Sequence, residues 1–241
     1  MRSIVVLTED RSSVPTLERI FELILAETKL ACNLEIYFHR GRGHLPKNLA
    51  ASPNPRASSL LQVFPAKLRA YAAATEPEEV LLVVVLDSDD SDVDVLYGRL
   101  VECYRRFAPR HVYCIGIAVE EFEAWLLGDI EALSRAYPDY NKEAYASYEQ
   151  DAIVGTWEIL AKVVHAAGAD RLIRNAYPAV GAYKMRWAEN ISPFLELDSN
   201  RSESFKRFIQ HIRRSLVFWT ERIEAAGEVP GNFPSEEEGE S

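Results

Sequence analysis

Seven consecutive aliphatic residues, VLLVVVL at positions 80–86, constrain the fold more than any other feature of this sequence. A half-exposed strand alternates apolar and polar residues, whereas a continuous β-branched run is typical of a strand covered on both faces. Such strands lie inside parallel sheets that carry helices on either side. The run therefore predicts a buried central strand, and the chain turns acidic where it ends, at Asp87.

Strand and helix patterns alternate around this run. Further strands are predicted at residues 3–7, 34–38 and 111–118. Apolar residues at helical spacing predict helices that begin near residue 13, span 59–74, span 92–107 and begin near residue 119. This alternation predicts the α/β class, with a parallel sheet and flanking helices. In such sheets a ligand site lies at the carboxyl ends of the strands.

Residues 130–222 show no strand pattern of comparable strength. The spacing of Trp157, Leu160 and Val164 predicts one helix, and apolar residues between Phe205 and Ile223 predict a long amphipathic one. We therefore expect an α/β domain over residues 1–135, a helical extension packed on it over 136–226 and an acidic disordered tail over 227–241.

Composition and charge narrow the functional classes. No apolar run approaches the roughly 20 residues of a membrane-spanning helix, so we expect no membrane partner. The three cysteines are widely spaced and form no Cys-x-x-Cys pair, which favours reduced thiols and a cytoplasmic location. The net charge of −10 argues against nucleic acid, but six glutamates of residues 223–241 carry much of it. Nucleic acid therefore remains a candidate partner.

Acidic residues follow two of the predicted strands. Asp87 and Asp89 come directly after the central strand, with Asp90 beside them, and Glu9 follows the first strand. Carboxylates two residues apart can chelate a hard cation such as Mg²⁺, which also favours phosphate oxygens. The alternative is a solvated loop whose acids favour the start of the next helix. Asp87 fits that alternative least, because a lone carboxylate at the end of an aliphatic strand is poorly solvated.

A third acidic cluster, Glu120, Glu121 and Glu123, follows the fourth predicted strand. If the helix includes all three, Glu120 and Glu123 are neighbours on one face. An acidic first turn that complements the helix dipole is the alternative interpretation. We choose Glu123 as the member that contributes to the site.

The motif layout resembles the Toprim domain of topoisomerases, primases and OLD-type nucleases. The segments GRGHLPKNL, VVVLDSDDSD, IAVEEFEAWLLGD, GAYKMRWAENI and NRSESFKRF more closely resemble an uncharacterised Toprim-like bacterial family that is often encoded beside an ATPase. The usual Glu-Gly of the first Toprim motif is Glu9-Asp10 here, which keeps the carboxylate. The resemblance implies Glu9, Asp87 and Asp89 as ligands of Mg²⁺ or Mn²⁺, with Glu123 as a further carboxylate.

Three basic residues are candidate phosphate contacts. Arg42 and Lys47 lie in the glycine-containing segment GRGHLPK, which lacks the P-loop pattern, and Lys184 lies in a later helical segment. A plain basic turn is the alternative for the first two. For Lys184, sequence alone does not decide whether it faces the site.

We expect a divalent-metal-dependent nuclease or related phosphoryl-transfer protein that acts on nucleic acid. Glu9, Asp87 and Asp89 hold the metal in this hypothesis and Glu123 assists, although Glu9 is also a candidate proton donor or acceptor. The alternative is a non-catalytic Toprim-like partner subunit of an ATPase in a defence-type system. Receiver-like phosphoacceptors and Asp-based phosphatases fit less well, because they place the key aspartate after the first strand, where this chain has Glu9.

Overall fold

A computed structural model describes residues 2–165, 169–175 and 179–227 of the 241-residue chain. The strands are β1 (Ser3–Thr8), β2 (Asn33–Phe38), β3 (Val80–Asp87) and β4 (Tyr113–Ala118). The helices are α1 (Val14–Thr28), α2 (Leu60–Ala74), α3 (Val93–Phe107), α4 (Glu123–Gly128), α5 (Ile130–Ala136), α6 (Lys142–Ala146), α7 (Thr156–Val164), α8 (Ala169–Asn175), α9 (Val180–Ile191) and α10 (Glu203–Gly227). All but the first residue of the predicted acidic tail lie outside the described residues.

The four strands form one parallel sheet in the order β2-β1-β3-β4. Every residue of β1 and β3 is buried, as the continuous aliphatic runs predict. The predicted α/β class and parallel sheet with flanking helices are therefore confirmed. Because β1 and β3 are neighbours, the residues that follow Thr8 and Leu86 emerge side by side at the carboxyl edge.

Helices cover both faces of the sheet. On one face, side chains of α2 and α3 such as Phe64 and Tyr104 pack against the odd-numbered residues of β1 and the even-numbered residues of β3. On the other face, α1 and α10 share a core in which Phe21 and Phe208 meet edge to face at 6.4 Å between ring centroids. The predicted C-terminal amphipathic helix is thus a layer of the sheet domain.

A third core joins α4 to α9 around the fully buried Trp187. This helical part extends from the carboxyl end of β4 and touches α1 through α9. The predicted domain boundaries at 135 and 226 stay predictions, although the third core already includes Leu126 and α10 belongs to the sheet core.

The helix that follows β4 differs from its prediction. We expected one helix through the segment VEEFEAWLLGDIEAL, but α4 begins only at Glu123 and a break at Asp129 separates it from α5. Asp129 is buried in an extended conformation, and its carboxylate accepts a hydrogen bond from the Ala132 N–H at 3.0 Å. An aspartate in this position starts a new helix rather than continuing the old one.

The composition led to two expectations that concern the described residues, one on membrane-spanning helices and one on the cysteines. None of their helices combines the length and the apolar character that crossing a membrane requires. The three cysteines are free, and Cys103 and Cys114 are buried.

Candidate functional site

The candidate site lies where β1, β3 and β4 end. Glu9 follows β1 by one residue, Asp87 is the last residue of β3, and Glu123 opens α4 shortly after β4. Asp87 and Glu123 are buried. The parallel sheet therefore brings together acids that are far apart in the sequence.

Glu9 and Asp87 are neighbours, and the side chain of Glu9 contacts the backbone of Asp87. The Oε2 atom of Glu9 accepts a hydrogen bond from the Asp87 N–H at 3.1 Å. Burial raises the pKa of Glu9 to about 7, and the charges of Asp10 and Asp89 add to this effect. Burial and then the charge of Glu9 raise the pKa of Asp87 well above its usual range. Both carboxyls thus hold protons more readily than ordinary acids do, which is the response of buried acids that lack sufficient counter-charge.

Asp10 belongs to this acidic neighbourhood, although it was not among the predicted site residues. Its Oδ1 atom accepts hydrogen bonds from the Ser12 hydroxyl at 2.9 Å and the Ser13 N–H at 3.1 Å. Its charge contributes to the raised pKa values of Glu9, Asp87 and Glu123. Its position directly after Glu9 was the signal available in the sequence.

Glu123 is paired with Lys184. The Lys184 Nζ atom lies 2.9 Å from Oε2 of Glu123 and 3.0 Å from Oε1 of Glu121. Burial raises the pKa of Glu123 and the ammonium of Lys184 opposes that rise. Burial alone would lower the pKa of Lys184, but these carboxylates raise it above its ordinary value. Lys184, one of the three basic candidates, therefore reaches the acidic site from α9.

Asp89 is exposed and forms a salt bridge with Arg42. Its side chain is 53% exposed, and its Oδ2 atom lies 3.0 Å from Nη2 of Arg42. Arg42 is itself mostly buried and also donates to the backbone carbonyl oxygens of Asp87, at 3.3 Å, and Ser88. The guanidinium thus ties the loop after β2 to the acidic loop after β3.

Glu120 has a structural role that sequence reasoning missed. We placed it on a helix beside Glu123, but its φ of +59° puts it in the left-handed region, outside α4. Its carboxylate accepts hydrogen bonds from the backbone N–H groups of Val154, Gly155 and Thr156 at 2.7 to 3.0 Å, and from the Thr156 hydroxyl. Although burial opposes them, these donors lower the pKa of Glu120. Glu120 therefore anchors the start of α7.

The carboxylates do not converge on one point. Within residues 2–165, 169–175 and 179–227, no three His, Cys, Asp or Glu side chains form a group that could hold a metal ion. Lys47, the remaining basic candidate, is exposed on the loop after β2. The geometry thus offers one pair of neighbouring acids, Glu9 and Asp87, whereas Asp89 forms a salt bridge with Arg42 and Glu123 forms one with Lys184.

The chemistry of this pair fits a hard divalent ion. Mg²⁺ takes oxygen ligands and is usually held by one or two carboxylates together with waters and substrate phosphates, so a complete protein cage is not needed. Two neighbouring carboxyls with raised pKa values, one of them buried, gain most from a nearby positive charge. Glu9 and Asp87 are therefore the residues that would hold such an ion.

Comparison with known proteins identifies the family. The profile described as "Domain of unknown function (DUF4276)" matches residues 17–213. The chain belongs to this family. No curated protein and no solved structure gave a match.

Proposed function

We propose that this protein binds Mg²⁺ or Mn²⁺ at Glu9 and Asp87 and is a nuclease or related phosphoryl-transfer protein of Toprim type. The observation that carries the proposal is the pair of neighbouring acids at adjacent strand ends, in which Glu9 accepts a hydrogen bond from the Asp87 N–H and both carboxyls have raised pKa values. A bound divalent ion would supply an activated water and neutralise charge on a phosphate. The Toprim relationship and nucleic acid as substrate come from the motif resemblance.

Other residues of the chain have supporting roles in this proposal. Arg42 holds the backbone of the acidic loop and thereby positions Asp87. Lys184 neutralises Glu123 through a salt bridge. Of the four predicted site acids, Glu9 and Asp87 are therefore the two that form no salt bridge among the described residues. Asp89 is a third ligand only if its carboxylate leaves Arg42. Lys47 is an exposed cation that a phosphate backbone can reach without any rearrangement of the loop.

The direct test combines metal binding with cleavage. Purified protein is incubated with plasmid and with single-stranded DNA or RNA in Mg²⁺ or Mn²⁺, and its melting temperature is measured with and without the ion. We expect cleavage and a metal-dependent rise in melting temperature, and Asp87→Asn should abolish both. Asp90→Asn is the matched control, because Asp90 lies on the same loop and is exposed. Cleavage that survives Asp87→Asn would contradict the proposed site.

A non-catalytic partner subunit is the second candidate. The observation that favours it is that Asp89 and Glu123 are already neutralised by Arg42 and Lys184, as in a site that needs no metal. An ATPase partner in a defence-type system belongs to this candidate through the resemblance alone. The three free cysteines support a cytoplasmic location for either candidate. Absence of cleavage and of any metal-dependent melting shift in the wild type would favour the partner subunit.

A further inference from the structure

The two edges of the sheet are protected differently. At the β4 edge, the Ser215 hydroxyl of α10 donates to the carbonyl of Tyr113 at 2.9 Å, and Nδ1 of His211 lies 3.4 Å from both the N and O atoms of Ile115. Side chains of α10 thus occupy backbone groups that another strand would need. At the β2 edge no described residue does the same.

The free backbone groups of β2 belong to its even-numbered residues. The N–H groups of Asn33 and His39 donate to β1 and its flanking residue, so the odd-numbered positions face β1. The N–H and C=O groups of Leu34, Ile36 and Phe38 consequently point to the outer edge. No strand of the described residues pairs with this edge. Unpaired groups along a strand edge are a template for another strand.

The usual defences of an edge strand are missing from β2. Its sequence, NLEIYF, contains no proline and no lysine, and Glu35 is its one charged residue. Phe38 is 53% exposed and Tyr37 is also exposed. Beside the edge runs an open groove of about 930 Å³, whose lining includes Leu34, Ile36 and Phe38 together with the charged residues Arg11, Glu18, Arg19, Glu22 and Glu189. Arg11 lies over the ring of Phe38 and Lys67 over the ring of Tyr37, so cations flank the strand. A strand edge with unpaired backbone groups and exposed aromatic side chains is nevertheless typical of an interaction surface.

We infer that the outer edge of β2 is a dimer interface, where β2 of a second copy pairs antiparallel about a two-fold axis at Ile36. This register places Leu34 opposite Phe38 of the second copy and Ile36 opposite its own counterpart, on the face that carries the groove. Glu35 lies opposite Tyr37, whose hydroxyl already donates to the Glu35 carboxylate at 2.7 Å within one strand. Apolar pairs and a phenol–carboxylate pair are favourable across strands.

The alternative register with its axis at Glu35 would set two glutamates directly opposite each other, which is destabilising. The β2 sequence is therefore complementary to itself in the register with its axis at Ile36, as the shared interface of a symmetric dimer requires. The dimer would join the two sheets into one eight-stranded sheet. It does not depend on the proposed metal chemistry.

The first test measures association by sedimentation from about 1 to about 100 µM, a range that detects micromolar dimers. The wild type should dimerise, and Phe38→Lys should raise the dissociation constant by about tenfold, because symmetry repeats the change at two cross-strand pairs. Phe218→Lys on α10 is the matched control, since Phe218 is 54% exposed, and it should leave association unchanged. Circular dichroism checks that each variant is folded. A monomeric wild type, or a dimer indifferent to Phe38→Lys, would overturn the inference.

The second test determines the register in which the two β2 strands pair. In a Cys32→Ser background, Glu35→Cys and Tyr37→Cys chains are mixed and oxidised. The two positions are directly opposite in the proposed pairing, at a Cα separation of about 4.5 Å that permits a disulfide. A cross-linked dimer should form in the mixture and not in either variant alone. Cross-linking of the Glu35→Cys variant with itself would instead place the axis at Glu35 and refute this register.

Discussion

Glu9 and Glu120 follow strands of the same sheet, yet their surroundings are opposite. Glu9 receives one backbone N–H and lies near Asp87, Asp10 and Asp89, and burial raises its pKa to about 7. Glu120 receives three backbone N–H groups and a hydroxyl, which lower its pKa despite burial. The number of hydrogen-bond donors around a carboxylate, rather than its position at a strand end, thus distinguishes a structural carboxylate from one that is available to bind a cation.

Glu123 is intermediate between Glu9 and Glu120, because it is buried but is paired with the ammonium of Lys184. Removing that ammonium is expected to have the largest effect. Lys184→Met would leave the buried Glu123 carboxylate without its ammonium, so we expect the free energy of unfolding at pH 8 to fall by about 3 to 5 kcal/mol. Urea denaturation measures the loss, which should shrink in acid as Glu123 takes up a proton. Lys162→Met, at an exposed position, is the control. A loss as small as that of the control would show that this pair carries no buried charge.

Glu9→Gln should stabilise the protein at high pH. The folded pKa of about 7 lies above the ordinary 4.5. The stability that Glu9 contributes is therefore complete below pH 4.5 and is lost as the pH rises through 7. Glutamine keeps an acceptor for the Asp87 N–H and carries no charge. We expect a gain of about 3 kcal/mol in unfolding free energy at pH 8 and little change at pH 4.

The measurement is urea denaturation of wild type and variant across this pH range in the absence of divalent ions. Glu102→Gln, an exposed position on α3, is the control and should show no such pH dependence. If Glu9→Gln destabilised the protein at pH 8 and this loss became smaller in acid, Glu9 would be a hydrogen-bonded acid like Glu120.

Glu120→Ala should act in the opposite direction. It removes the acceptor of the donors at Val154, Gly155 and Thr156, and we expect a loss of about 2 kcal/mol at pH 7. Because the folded pKa of Glu120 is lowered, its contribution is present above pH 4.5 and fades as the pH falls below that value. Thermal or urea denaturation against the exposed-site variant Glu149→Ala measures the effect. Equal free energies of unfolding of the two variants would show that Glu120 has no structural role.

The smallest effect is expected at Asp89. Its exposed carboxylate pairs with Arg42, and exposed ion pairs contribute about 1 kcal/mol or less. Asp89→Asn should therefore change the unfolding free energy by less than Glu120→Ala does, and added salt should reduce the difference further. Asp90→Asn serves as the control. A large loss of unfolding free energy that does not depend on salt would show that Asp89 behaves like the buried acids.

Sequence patterns were sufficient to locate the strand ends that carry the candidate site residues. The aliphatic runs before Glu9 and Asp87 identify buried strands, because a strand that is buried on both faces consists of consecutive apolar residues. The geometry of parallel sheets then brings the strand ends to one edge. Glu120 was misplaced because its hydrogen-bond partners lie more than thirty residues later, beyond the reach of helical periodicity.

The sequence by itself determined the α/β class, the strand ends that carry the acids and the amphipathic C-terminal helix, since each depends on nearest neighbours along the chain. Only the tertiary structure decided that Glu9 contacts Asp87, that Arg42 holds Asp89 and that Lys184 reaches Glu123. It also decided that α10 covers one sheet edge, while no strand among the described residues pairs with the outer edge of β2. These outcomes depend on contacts between segments distant in sequence, and the direction of a side chain at a strand end is set by those contacts.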